Sequence, residues 1–454
     1  MGKVTIGGGQ GFWGDSNDAA IHMVKEGDVN YIACDYLAEL TLSIMARQQM
    51  KNPNAGYARD FLDLMKVCGK DAFDKKIKIL ANAGGMNING LVDVVKQAMQ
   101  HKGIRGYRIG YVTGDEISKQ IPKLLKQGIT FENMDNSEDF RLIQDQICNA
   151  NVYFGHEPLM QCLRDGADVI ITGRAADSAL FLAPIMYELG INEGDWDNLA
   201  RGIMAGHLLE CGGQGSGGNF DYGWREVPDM DRLGFPIAEL DENNFYITKS
   251  MNCGGLISEQ TCKEQLLYEV HDPANYITPD VTVDISRSEL RQVGKNRVEV
   301  KNIRGKVRPD KLKLSIGYHA GYKVVGMLSY AWPDAMEKAQ YAADILYKKL
   351  KRKNLQAEEI KVDYIGANAL HLDVAETPLE KMKDLNEVVM RFAIRTKTKE
   401  EALKLVPEIS PLQLNGPPGA SFLGGRPKVQ EVIGLWPTLI PRDCVELISH
   451  IVEI

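Results

Sequence analysis

The sequence predicts an α/β protein, with a mostly parallel, Rossmann-like sheet in the N-terminal part and an α+β domain behind it. Three observations carry this. Apolar runs alternate with stretches of helical period through the first half, as parallel strands joined by crossover helices require. Glycine and polar residues recur where each run stops. After about residue 285 the pattern changes to longer alternating runs and isolated helices. At 454 residues the chain is long for one core. Two domains are therefore expected, 1–285 and 286–454. A barrel-like α/β arrangement is the alternative, but a closed barrel needs eight strands and about six runs precede the change of texture.

The runs at 4–6, 31–34, 77–80, 108–112, 151–154 and 169–172 are expected as strands. Helices are expected at 19–25, 37–49, 90–100 and 159–164. Asn89 precedes apolar residues three and four apart, a cap followed by an amphipathic face. In the second half, runs at 311–318 and 322–329 flank His319-Ala320-Gly321, which reads as a hairpin. A helix at 334–351, a strand at 387–396 and a helix at 399–405 follow. The basic stretch 348–353 reads as the solvated end of a helix, where cations are favoured.

Composition narrows the function. A net charge of −8, with no basic run interleaved with aromatics, argues against nucleic acid as a partner. No stretch is long and apolar enough for a membrane span, and the N-terminus lacks a signal-peptide core. The eight cysteines contain no C-x-x-C pair. A cytoplasmic protein with reduced thiols is the expectation.

The glycine-rich opening poses the first chemical question. Gly9-Gln10-Gly11-Phe12-Trp13-Gly14 matches G-x-G-x-x-G, and Asp35 ends the next run, where a ribose-binding acid belongs. The capping signals disagree. Asp15, Ser16 and Asn17 place the helix start after Gly14, whereas a dinucleotide turn starts its helix inside the motif. A general anion cradle at a helix N-terminus remains, with Trp13 covering the ligand.

The blocks GFWGD, DYLAEL, NAGGMN, TGD, GADVIITGRAADSAL and HLLECGGQGSGGNF resemble the acyclic terpene utilization (AtuA-type) family. The resemblance continues through 235–239, 247–249 and 264–269, and covers roughly residues 3–440. It departs at Met251-Asn252-Cys253-Gly254-Gly255, where Gly-Thr-Gly-Gly is expected. The resemblance implies bacterial catabolism, originally of branched acyclic terpenoids processed as coenzyme A thioesters, and a homo-oligomer. It also implies a separate small ferredoxin-like partner, because longer relatives carry such a module at the C-terminus.

Candidate residues cluster at the ends of the apolar runs, where ligands bind in parallel α/β folds. His207, Glu210 and Cys211 fall on one helix face and are candidate catalytic groups, with His207 as general base and Glu210 as its orienter or as the acid. A thiol at a helix C-terminus has no cause for a lowered pKa. H-x-x-E-C is not a zinc spacing, so no metal ligand is assigned. His156 and Asp115 are further acid–base candidates. Gly9, Gly11, Trp13, Asp35, Asn82, Gly84, Gly85, Asn87, Thr113, Arg174, Asp177 and Lys249 are candidates for substrate or anion binding. Arg174 suits a carboxylate or phosphate, and Asn82 and Asn87 suit an oxygen that gains charge.

Three readings follow. The first is an enzyme with hydratase, lyase or isomerase chemistry on an unsaturated or branched carboxylic acid or its acyl-CoA. The second is a non-catalytic acyl-CoA or metabolite-binding subunit of a complex. The third is an NAD(P)-dependent oxidoreductase.

Overall fold

The computed structural model describes residues 2–367, 369–375, 382 and 385–454. Two compact units emerge, residues 1–317 with 435–454, and residues 318–434. The division falls later than the change of texture at 285. The last strand returns to the first unit because it pairs there.

In chain order the first unit begins β1 (Lys3–Gln10), α1 (Asp18–Glu26), β2 (Tyr31–Cys34), α2 (Glu39–Lys51), α3 (Arg59–Asp74), β3 (Lys78–Ala81) and α4 (Ile88–His101). It continues with β4 (Arg108–Thr113), α5 (Ile121–Lys126), β5 (Ile147–Val152), α6 (Glu157–Arg164), β6 (Val169–Thr172), α7 (Ala179–Leu189) and α8 (Trp196–Leu209). Then come β7 (Pro236–Asp241), β8 (Phe245–Lys249), α9 (Glu259–Leu267), β9 (Tyr276–Ile277), β10 (Thr282–Asp284), β11 (Glu289–Gly294), β12 (Arg297–Lys301), β13 (Arg304–Lys306) and β14 (Lys311–Ala331).

A ten-stranded open sheet forms the centre of this unit, and it does not close into a barrel. Its middle, β1-β2-β3-β6-β4, is parallel. Antiparallel β7, β8, β12 and β11 extend one side. On the other side the C-terminal β19 (Ile448–Glu453) runs antiparallel to β4. One core joins the sheet to α1, α3 and α4 through Met23, Phe61, Met65 and Val95. A second core joins it to α6, α7 and α8 through Leu159, Phe181, Leu182 and Ile203. Helices on both faces leave the strands nearly continuous in apolar residues, as a parallel sheet demands.

Three expectations change. β1 does not stop at residue 6 but runs through the glycines to Gln10. The glycines let α8 approach: a Cβ on Gly8 would lie 2.5 Å from the Leu209 carbonyl oxygen. A Cβ on Gly11 would lie 2.7 Å from the Cys211 carbonyl carbon. The expected strand at 151–154 is instead β5, which leaves the parallel sheet and pairs with β14. Its asparagines explain this: Asn149 and Asn151 are buried and need polar partners, which they find in Ser43 and Asp115. The parallel core therefore has five strands, not six.

The third change is the hairpin, which does not form; residues 311–331 are one strand. Its second half pairs with β16 instead of folding back on the first half. Gly321 has a φ of +95°, and a Cβ there would lie 2.4 Å from the Thr396 carbonyl oxygen. That glycine serves close approach of a neighbouring strand, not a tight turn.

The second unit contains the end of β14 with α10 (Ala335–Arg352), β15 (Glu359–Ile365), β16 (Glu387–Thr396), the short helices α11 (Lys399–Leu403), α12 (Val406–Ile409) and α13 (Leu412–Asn415), and β17 (Ala420–Leu423). The strand β18 (Gln430–Pro441) leads out of it. Its antiparallel strands run β15-β16-β14-β17. Leu328 and Tyr330 of β14, Met390 and Phe392 of β16, and Ala343 and Leu346 of α10 form its core. The expected α+β character is present.

Candidate functional site

Four of the five parallel strands of the large sheet are followed within two residues by a polar residue, and the structure gathers these residues. Asp35 follows β2, Asn82 follows β3, Asp115 follows β4 and Arg174 follows β6. Asp35, Asn82, Asp115 and Arg174 are all buried. Asn82 donates its side-chain N–H to Asp35 and accepts the Tyr36 N–H at 2.6 Å. Asp115 Oδ2 accepts from the Arg174 backbone N–H at 2.8 Å and from Asn151 Nδ2 at 3.0 Å. Gly173 permits this: a Cβ there would fall 2.3 Å from Asp115.

Arg174 is the centre of the cluster. Its Nη1 pairs with Asp177 at 2.6 Å, and its guanidinium stacks 4.0 Å from the Tyr153 ring centroid. Its Nε has no hydrogen-bond partner although it is buried. Burial, with the charges of Asp177 and Glu210 nearby, pushes the Asp35 carboxyl well above the usual range against the pull of Arg174 and Asn82. Burial and its like-charged neighbours thus favour the protonated form of Asp35 beside the ion pair.

The His207 cluster forms a second group. His207 Nδ1 lies 3.0 Å from Glu210 Oε1, and Ser178 Oγ donates to Glu210 Oε2 at 3.0 Å. Burial alone lowers the His207 pKa, but the hydrogen bond and charge of Glu210 outweigh it and raise it. Burial raises Glu210, while His207 opposes. The pair is buried, and neither residue lines the two cavities described below. Ser178 and Tyr276 connect it to one, since the Tyr276 hydroxyl is within reach of Ser178 and its ring centroid lies 5.2 Å from that of His207.

That cavity has a volume of about 390 Å³, within the range of small-molecule sites. Tyr153, Asp177, Ser178, Tyr276, Lys311 and Lys313 supply its polar groups. Ala176, Ile203, Leu312 and Leu439 give it apolar walls. Lys313 pairs with Glu39 at 2.9 Å and sits 4.7 Å from the Tyr153 ring centroid.

The glycine loops line a different cleft, of about 550 Å³, with Gly11, Phe12, Asp15, Cys211, Gly213 and Gln214 on its wall. The helix α1 begins at Asp18, four residues after Gly14, as the capping residues indicate. The Gly11 N–H already donates to Asp15 Oδ2 at 3.0 Å. Gly9 is packed on Ile32 and Cys34, where a Cβ would meet both at 2.6 Å. The motif therefore does not form a dinucleotide turn. Trp13 packs against the core formed with α1 and α3. Burial and the neighbouring Glu210 hold the Cys211 thiol's pKa up, which disfavours the thiolate.

The remaining candidates lie apart from the cavity or are engaged in holding structure. His156 is buried with Nδ1 2.8 Å from Asp280 and Nε2 2.7 Å from Glu193. Asn87 caps α4 through Gly90 at 3.1 Å and donates to the Ala55 carbonyl at 2.9 Å. Thr113 Oγ1 lies 3.0 Å from His450 Nε2 on β19. Lys249 Nζ donates to the Cys253 carbonyl at 2.8 Å. Gly84 gives way to the Thr172 carbonyl oxygen, 2.7 Å from where its Cβ would lie, and Gly85 has a φ of +51°.

Sequence reasoning missed Tyr153, Ser178, Tyr276, Lys311 and Lys313. Only the lysines left a local signal, being two apart in an apolar run and so on one face of a strand. Tyr276 sits in a two-residue strand that no periodicity marks.

The fold and the site define an α/β protein with a buried acid–base cluster at the carboxyl edge of its parallel strands. The family model described as acyclic terpene utilisation family protein AtuA matches residues 4–451. The chain belongs to this family, whose role is catabolic. No curated protein matches it. Among solved structures, the crystal structure of S. aureus homoserine dehydrogenase at pH 6.5 aligns over 90% of this chain and 83% of its own, at 8% identity. Its TM-score of 0.14 is too low to carry any argument.

Proposed function

We propose that the protein is a catabolic enzyme that moves a proton next to the carbonyl carbon of a branched or unsaturated carboxylic acid or its acyl thioester. Addition or loss of water and migration of a double bond all use this step. The observation that carries the reading is that Asp177 and Tyr276 line one cavity, each backed by its own buried polar group. Arg174 holds Asp177 from behind at 2.6 Å, which fixes its carboxylate at the cavity wall where a base is needed. Tyr276 faces the same space as the acid. Ser178, Glu210 and His207 behind it provide a route for the proton. The apolar walls suit a branched hydrocarbon chain.

The experiment is solvent deuterium exchange. The purified chain is incubated in heavy water with branched and unsaturated acids and their thioesters, and label at the carbon beside the carbonyl is read by mass spectrometry. Enzyme-dependent label that disappears in Asp177→Asn supports the reading. Tight binding without label on any compound would instead favour a non-catalytic binding subunit.

A further inference from the structure

We infer that the cavity takes its substrate as a free carboxylate seated on Lys311 and Lys313, and not as a coenzyme A thioester. The inference rests on the acid–base reading of that cavity and names its substrate class.

The first observation is the pair of lysines. Lys311 and Lys313 are two apart on β14, so they share a face, and both line the cavity that holds Asp177 and Tyr276. Removing a proton beside a carboxylate puts a second negative charge on its oxygens. Two ammonium groups match that dianion as it forms. A thioester oxygen gains only one charge and is ordinarily met by neutral N–H donors. Glu39 and the Tyr153 ring hold Lys313 in place.

The second observation is the charge around the cavity. It adjoins a space of about 650 Å³, with which it shares Met134, Tyr276, Ile277 and Lys313. That space is lined by Glu39, Asp135, Glu269 and Asp272, with Lys313 as the one lysine or arginine on its wall. On the other side lies a space of about 400 Å³ that shares Met134, Lys311 and Leu439 and is also lined by Glu132. The nearby Arg308 and Arg442 are both occupied by Glu157. Coenzyme A carries a diphosphate and a further phosphate, and neither adjoining space offers the cations to neutralise them. A compact carboxylate needs no such path.

The test is a thermal-shift titration of the full chain with tiglate, mesaconate and their hydrated forms, each beside its coenzyme A thioester. The expected result is stabilisation by at least one free acid and none by its thioester. Lys311→Met and Lys313→Met should each weaken that acid about tenfold. Lys311→Met should leave the ligand-free melting temperature unchanged, whereas Lys313→Met also loses its pair with Glu39 and should lower it. Stabilisation by a thioester but not by its acid overturns the inference, and so does an acid whose affinity both variants leave unchanged. No shift with any of the acids also overturns it. Deuterium exchange separates this from the underlying reading. Label entering a thioester alone retains the acid–base function and removes the free-acid substrate, whereas label entering nothing removes the function.

Discussion

The Arg174 guanidinium stacks 4.0 Å from the Tyr153 ring centroid while its Nη1 holds Asp177 at 2.6 Å. One buried cation thus joins the strand that left the parallel sheet to the loop that follows β6. Arg174→Ala leaves Asp177 without its counter-charge. The expected loss is about 3–5 kcal/mol of stability, read by urea unfolding. Arg174→Lys should restore only part of it, because an ammonium cannot stack and fork together.

Tyr276→Phe removes one hydroxyl from the cavity and little volume. It should fold with an unchanged melting temperature and lose about 10²–10⁴ in turnover if the phenol is the acid. Turnover equal to wild type assigns the acid elsewhere.

Asp35 gives a pH prediction. Its folded pKa is raised, so between the ordinary aspartate value and that raised value the native state holds more protons than the unfolded chain. Stability therefore falls as pH rises through this window. Asp35→Asn should flatten that part of the stability–pH curve, measured by denaturant titration at several pH values. A slope identical to wild type counts against a neutral Asp35.

His156 predicts its own window. Burial works to lower its pKa, but Asp280 and Glu193 outweigh it and lift it to about 10. Its stabilisation is fully present below the unfolded value, near 6.5, and is lost as pH rises through 10. The deficit of His156→Ala relative to wild type should be largest near pH 6 and shrink as pH rises toward 10. A deficit that does not change with pH would mean that His156 acts by packing alone.

Gly8→Ala tests the reading of the glycine run. The added methyl meets the Leu209 carbonyl oxygen at 2.5 Å. Overpacking of this kind costs about 1–3 kcal/mol, visible as a lower melting temperature. A neutral result would show that α8 can retreat from β1.

Alternation of apolar runs and helical periods determined the α/β class, and capping residues placed α1 after Gly14, because both are local signals. Polar strand ends marked Asp35, Asn82, Asp115 and Arg174 as one edge. The family blocks marked the same stretches, and the family match over 4–451 agrees. Only the tertiary structure decided what the marked residues do. Gly8 and Gly11 serve helix packing, because α8 arrives from two hundred residues away in sequence. β5 leaves the sheet, because its buried asparagines find partners elsewhere. His207 and Glu210 are packed behind Tyr276 and Ser178. The residues that line the cavity come from seven separate segments, around 134, 153, 177, 203, 277, 311 and 439. A cavity is a meeting of segments in space, and no local pattern of residues encodes which segments will meet.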